Sequence, residues 1–224
     1  MKKTTLFEAR KGGYYNYRIP GITVTPNGTA LAYCEARRDD GGDHDVIDIR
    51  MRRSTDGGAT WDEPFTVADH ADFPEPTMNN FVCIPDRDED CVHALFCNLY
   101  HRAYYIRSDD DGATWSDPVE ITDTFEAFRD EYDWTILAFG PGHGIQLSSG
   151  RLISSIWVSL GTTFHLPNRC GVVYSDDHGA TWHVGDSTTL GPEIDEVVFE
   201  SKWWPSGFVW SGCECLAAEL GDGE

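Results

Sequence analysis

Apolar residues in this chain come in short runs, none long. The segments 19–24, 29–34, 92–97, 104–107, 151–158 and 171–174 are rich in β-branched or aromatic residues and bounded by turn formers, which predicts strands. The segment 46–52 (V-I-D-I-R-M-R) alternates over its second half, the period of a strand with one solvated face. Pro26-Asn27-Gly28 and Ser148-Ser149-Gly150 read as hairpin connections. No convincing helical period is present. The segment 124–134 comes nearest and predicts one helical turn within a loop.

A repeat organises these runs. S-T-D-G-G-A-T-W begins at Ser54, S-D-D-D-G-A-T-W at Ser108 and S-D-D-H-G-A-T-W at Ser175, with the shared pattern S-x-D-x-G-A-T-W. Asp56, Asp110 and Asp177 can accept hydrogen bonds from backbone N–H groups a few residues on. Gly58, Gly112 and Gly179 suit a turn with positive φ. Thr60, Thr114 and Thr181 would start the next strand, and Trp61, Trp115 and Trp182 would fold over the turn and bury a large ring. The spacings of 54 and 67 residues leave room for one multi-stranded unit each. Repeated all-β units of this size are propeller blades or modules of an array, and at roughly 40–50 residues per blade the chain holds about four at most.

Composition narrows the partners. Seventeen Lys+Arg against 38 Asp+Glu give a net charge of −21, a field that repels nucleic acid and anionic lipid surfaces. No apolar run reaches the length of a membrane span, and the first eleven residues hold no apolar stretch typical of a signal peptide, so a cytoplasmic location is expected. The seven cysteines form no C-x-x-C pair and have no histidine at zinc spacing, which predicts scattered free thiols in a reducing compartment. The eight histidines show no pair at metal spacing either, so neither metal nor cofactor is expected.

The S-x-D-x-G-A-T-W turn is the Asp-box, and Y-R-I-P-G-I at 17–22 is an Arg-Ile-Pro motif. C-E-A-R-R-D-D-G-G-D-H-D-V-I-D-I-R-M-R-R-S at 34–54, G-P-G-H-G-I-Q-L-S-S-G-R-L at 140–152 and E-C-L-A-A-E-L-G-D-G at 214–223 follow in order. Together they resemble the sialidase (neuraminidase) family of glycoside hydrolases over nearly the whole chain. The resemblance implies one all-β unit over 1–224, the N-terminal part of a six-bladed propeller whose active site lies away from the Asp-box turns. It also implies cleavage of terminal sialic acids from glycans or glycolipids. Such enzymes hold the substrate carboxylate with three arginines and use an Asp acid/base with a Tyr–Glu nucleophile pair. A neutral phenol suits a substrate with a carboxylate on its anomeric carbon, where an anionic nucleophile would be repelled.

Carried onto this chain, the resemblance makes Arg18 the first arginine of the clamp, whose guanidinium fork matches a carboxylate. Arg37 supports the acid/base loop or touches substrate. Asp43 is the acid/base, with Asp39, Asp40 and Asp45 near enough to compete. Glu214 is the base that activates the tyrosine. Asn79, Asn80 and His143 provide polar substrate contacts. Two features depart from the pattern. The remaining clamp arginines and the tyrosine normally follow the Glu-bearing strand, beyond Glu224, and 191–212 does not read like the family. As it stands, the chain is therefore expected to have little or no turnover and to self-associate through unpaired blades. Two other functions fit the turns alone: a non-catalytic Asp-box propeller that binds glycans or proteins, and a hydrolase of another anionic sugar. Taken alone, the acidic loop 39–48 also reads as a solvated turn or a calcium loop.

Overall fold

The structure, a computed structural model, describes residues 3–130, 132–161, 168–185 and 215–220. Three sheets follow one another along the chain. The first runs β1 (Asn16–Val24), β2 (Ala30–Arg37), β3 (Ile47–Ser54) and β4 (Phe65–Ala68), all antiparallel. The second runs β5 (Met78–Asp86), β6 (Cys91–Asn98), β7 (Arg102–Ser108) and β8 (Val119–Glu120). The third contains β9 (Ile136–Phe139), which pairs with β12 (Leu152–Ser159). The short β10 (Gly142–His143) crosses back to lie parallel on β5, and β11 (Ile145–Gln146), β13 (Asn168–Ser175) and β14 (His183–Val184) complete the third sheet around β12. The main run of each sheet is an antiparallel meander, the unit of a propeller, and the three described sheets do not close into a ring. Among the described residues, three of the expected four or so blades are in place. Residues 186–214, Glu214 among them, lie outside those described.

The core lies between the blades. Leu31, Tyr33, Ile49 and Met51 of the first sheet pack on Met78, Phe81, Val92, Phe96 and Ile106 of the second. Val82, Ile84 and Leu95 pack on Leu137, Phe139, Ile156 and Val173 of the third. A 3-10 helix, Thr122–Asp130, stands where one helical turn is expected and places Phe125 and Phe128 in that second cluster beside Trp134. The nine-residue β5 escapes the sequence pattern, as do short strands such as β4 and β9. Met78-Asn79-Asn80-Phe81 carries polar residues at buried positions and β5 is covered on both faces, so no alternation shows.

The three Asp-boxes repeat the same hydrogen bonds. In each, the serine hydroxyl donates to the aspartate and accepts from the glycine N–H. The aspartate also accepts from the backbone and hydroxyl of the threonine, over 2.6–2.9 Å throughout. Their threonines close the turn and do not open a strand, since β4, β8 and β14 begin at Phe65, Val119 and His183. Only Trp182 is fully buried; Trp61 and Trp115 are half-buried.

A candidate active site opposite the Asp-boxes

β3, β7 and β13 end in the serines of the Asp-boxes, so β2 carries its C-terminal residues to the other end of the first blade. There Glu35 and Arg37 project to one face of the strand, two residues apart. Both are buried, at 1% and 0% exposure. The Arg37 guanidinium donates to Glu35 Oε2 from Nε at 3.1 Å and from Nη2 at 2.5 Å, and its Nη1 donates to Gly41 O and Asp43 Oδ1, each at 2.8 Å. Arg18 Nη1 reaches the same Asp43 oxygen at 3.3 Å. Two guanidiniums from different strands therefore converge on one carboxylate. Arg37 is shut away, while Arg18 and Asp43 are about half exposed. A cleft of about 410 Å³ opens beside Arg18, Ile19, Pro20 and Pro141.

Charge and burial pull against each other here. Burial drives the Glu35 carboxyl above the usual carboxylate range, opposed by Arg37 and by the Asn80 N–H at 2.9 Å. Burial also lowers Arg37, but Glu35 and Asp43 outweigh it and leave the guanidinium firmly charged. Tyr100, buried at the same end, is pushed up first by burial and then by Glu35 and Asp43, and its ring meets the edge of His44 at 5.6 Å.

The acidic loop resolves into distinct jobs. Asp45 is buried and accepts the backbone N–H groups of Asp39, Asp40, Gly41 and Val46 at 2.6–3.1 Å. Its charge is consumed in shaping the loop. Asp39 is exposed, and Asp40, also exposed, accepts from Gly42 N. Of the four competing carboxylates, Asp43 is the one that contacts both arginines.

Backbone bulges aim the remaining groups. β1 slips register between Arg18 and Gly21, with Ile19 at φ 52°. β5 slips between Asn79 and Val82, with Asn80 at φ 53°. A left-handed β-branched residue costs on the order of 1–3 kcal/mol and persists where the surroundings enforce it. Bulges of this kind re-aim side chains beside functional sites. Asn79 Nδ2 donates to Asp43 O at 3.3 Å, and its buried Oδ1 has no hydrogen-bond partner among the described residues. Asn80 Nδ2 donates to Phe139 O at 2.9 Å, tying the bulge to the third blade. His143 is elsewhere: it lines a cleft of about 680 Å³ with Thr23, Thr25 and Pro26, toward the end of β1 remote from Arg18. The sequence reading did not single out Glu35 or Tyr100. The signal for Glu35 was its place two residues before Arg37 on a strand.

These features define a class, an Asp-box propeller whose blade ends opposite the boxes gather arginines around a half-exposed carboxylate. Comparison with known proteins makes it specific. Residues 28–203 match the BNR repeat-like domain. Sialidase-3 of Bos taurus is 33% identical over 86% of this chain and 51% of its own length, and a sialidase of Paraclostridium sordellii is 28% identical over 89% and 54%. The chain spans about half the length of the curated relatives it matches. Among solved structures, the Hadza microbial sialidase Hz136 superposes with a TM-score of 0.71 at 26% identity, covering 82% of this chain and 40% of that one. Trypanosoma rangeli sialidase, at 18% identity and a TM-score of 0.68, shares the fold over 84% of this chain and 36% of its own. The chain belongs to the sialidase family of BNR-repeat propellers.

Proposed function

We propose that this chain provides the carboxylate-recognition and acid/base part of an exo-α-sialidase centre acting on terminal sialic acids of glycans or glycolipids. The observation that carries the reading is the meeting of Arg18 and Arg37 on Asp43. Arg18 is the exposed member and offers its guanidinium fork to the sugar carboxylate; Arg37, locked by Glu35, keeps Asp43 in place. An incoming carboxylate on Arg18 brings negative charge toward Asp43 and favours its protonated form. Asp43 then gives that proton to the leaving glycosidic oxygen and later accepts one from water. Asn79 and Asn80 hold the loop and the bulge in register, and Glu214 supplies the base for the nucleophile. Self-association through unpaired blade edges belongs to the same proposal.

The test is sialic acid release by the full gene product from sialyllactose and from an aryl sialoside. Asp43→Ala is expected to slow the first roughly 100-fold or more and the second far less, because an aryl leaving group departs without a proton. Equal losses on both substrates would remove Asp43 from the acid role. Binding of sialylated glycans with no release, unchanged by Asp43→Ala, would favour the non-catalytic propeller.

A further inference from the structure

At the Asp-box end, a second cluster of chemistry-bearing side chains lies apart from the arginines. Asp86 closes β5 and stands roughly 20 Å along that strand from Asn79. Asp86, Cys91 and His93 are all essentially buried. Cys91 Sγ lies 3.4 Å from His93 Nε2, which lies 3.3 Å from Asp86 Oδ2. His178, from the third Asp-box, brings its Nδ1 to 2.8 Å from the same Asp86 oxygen.

We propose that Asp86, Cys91, His93 and His178 form a zinc site that fastens the third Asp-box to the second blade. Four arguments support it, and none depends on the sialidase reading. The first is donor chemistry: thiolate, two imidazoles and a carboxylate suit zinc, and two anionic ligands balance its charge. The second is distance. Ligand atoms about 2.0–2.3 Å from a tetrahedral zinc stand roughly 3.3–3.6 Å apart, which matches the separations at His93; His178 Nδ1, 2.8 Å from Asp86 Oδ2, must turn to complete the set.

The third is support behind the ligands. Asp86 Oδ1 is taken by Gln146 Nε2 at 2.8 Å and by the N–H groups of Asp88 and Glu89, which leaves Oδ2 to face the histidines. His93 Nδ1 meets the Tyr105 hydroxyl at 2.8 Å, the outer hydrogen bond that fixes a ligating imidazole. The fourth is access. His178 and Tyr105 line a cleft of about 770 Å³. The second Asp-box lacks this arrangement: Asp111, at the position of His178, meets Asn27 and Arg53.

Binding would displace the Cys91 thiol proton to solvent; His93 Nε2 and His178 Nδ1, which face Asp86 Oδ2 in the metal-free chain, would give up their N–H protons, so that each bound imidazole is neutral with its one proton on the other nitrogen, that of His93 toward the Tyr105 hydroxyl. The motif escapes sequence inspection because Asp86-x4-Cys91-x-His93 is not a common zinc spacing and the fourth ligand comes from another blade.

The experiment is equilibrium dialysis of the full chain against Zn²⁺ at neutral pH, with Co²⁺ as a spectroscopic probe. One zinc per chain is expected, with a thiolate-to-cobalt charge-transfer band that Cys91→Ser abolishes. His178→Ala, a change at a half-exposed side chain that leaves the fold intact, should weaken binding at least about 10-fold. His70→Ala, which alters the separate Asp48–Asp69–His70 cluster, should change nothing. Absence of saturable binding to the wild-type chain would overturn the site, as would affinity untouched by both Cys91→Ser and His178→Ala.

Discussion

The two ends of these blades are built by different rules. At the Asp-box end, hydrogen bonds close within seven residues of sequence, from Ser54 to Thr60 in the first box, and recur unchanged in the other two. At the other end, Arg18, Glu35, Arg37, Asp43 and Asn80 come from three strands and a loop, and charge is buried to hold them. The box turns of the first end are redundant and local, although the Asp86–His93–His178 contacts beside them join two blades. The second is singular and depends on every partner being present.

The contrast predicts unequal sensitivity. Arg37→Ala strands the buried Glu35 carboxylate and releases Asp43, and should cost about 3–5 kcal/mol in urea unfolding. A loss under about 1 kcal/mol would mean that the pair behaves like a surface ion pair. Asp110→Ala, in the middle box, removes hydrogen bonds that are largely solvent-exposed and should cost about 1 kcal/mol. A cost matching that of Arg37→Ala would erase the distinction between the ends.

Titration sharpens it further. Hydrogen bonds from the Thr60 and Thr181 hydroxyls and backbones hold Asp56 and Asp177 down at about 2. A depressed folded pKa gives stability that is present above the unfolded carboxylate value and lost as pH falls through the folded one. The boxes should therefore weaken between about pH 4 and pH 2. Glu35 has the opposite sign: burial raises it, so its contribution is fullest below the unfolded carboxylate value and declines as pH rises from there. Thermal unfolding followed across this range should show an acid limb that Asp177→Asn flattens. An unchanged limb would remove the boxes as its source.

The same division explains what could be read from sequence. The Asp-boxes were legible because their chemistry is local: Asp56, Gly58 and Thr60 carry their partners beside them. β3 was legible by alternation, and β2 and β6, buried along their whole length, as apolar runs bounded by turn formers. β5 was not, because its polar residues Asn79 and Asn80, buried in the blade, break its apolar run. Resemblance singled out Arg18, Arg37 and Asp43, but that Asp43 and not Asp45 meets both arginines needed tertiary information. Only the fold shows Asp45 spending its oxygens on four backbone N–H groups. His143 was placed with the arginines by motif, whereas its side chain lines another cleft. Glu35 was hidden because a carboxylate on a buried strand means little until its guanidinium is found opposite.

The most direct test of the central claim is calorimetric titration of the chain with N-acetylneuraminic acid and with its methyl ester, repeated on Arg18→Ala. If Arg18 receives the sugar carboxylate, the acid binds, the ester binds about 10–100-fold more weakly, and Arg18→Ala removes the difference. Equal affinity for acid and ester, or a preference that survives Arg18→Ala, would contradict it.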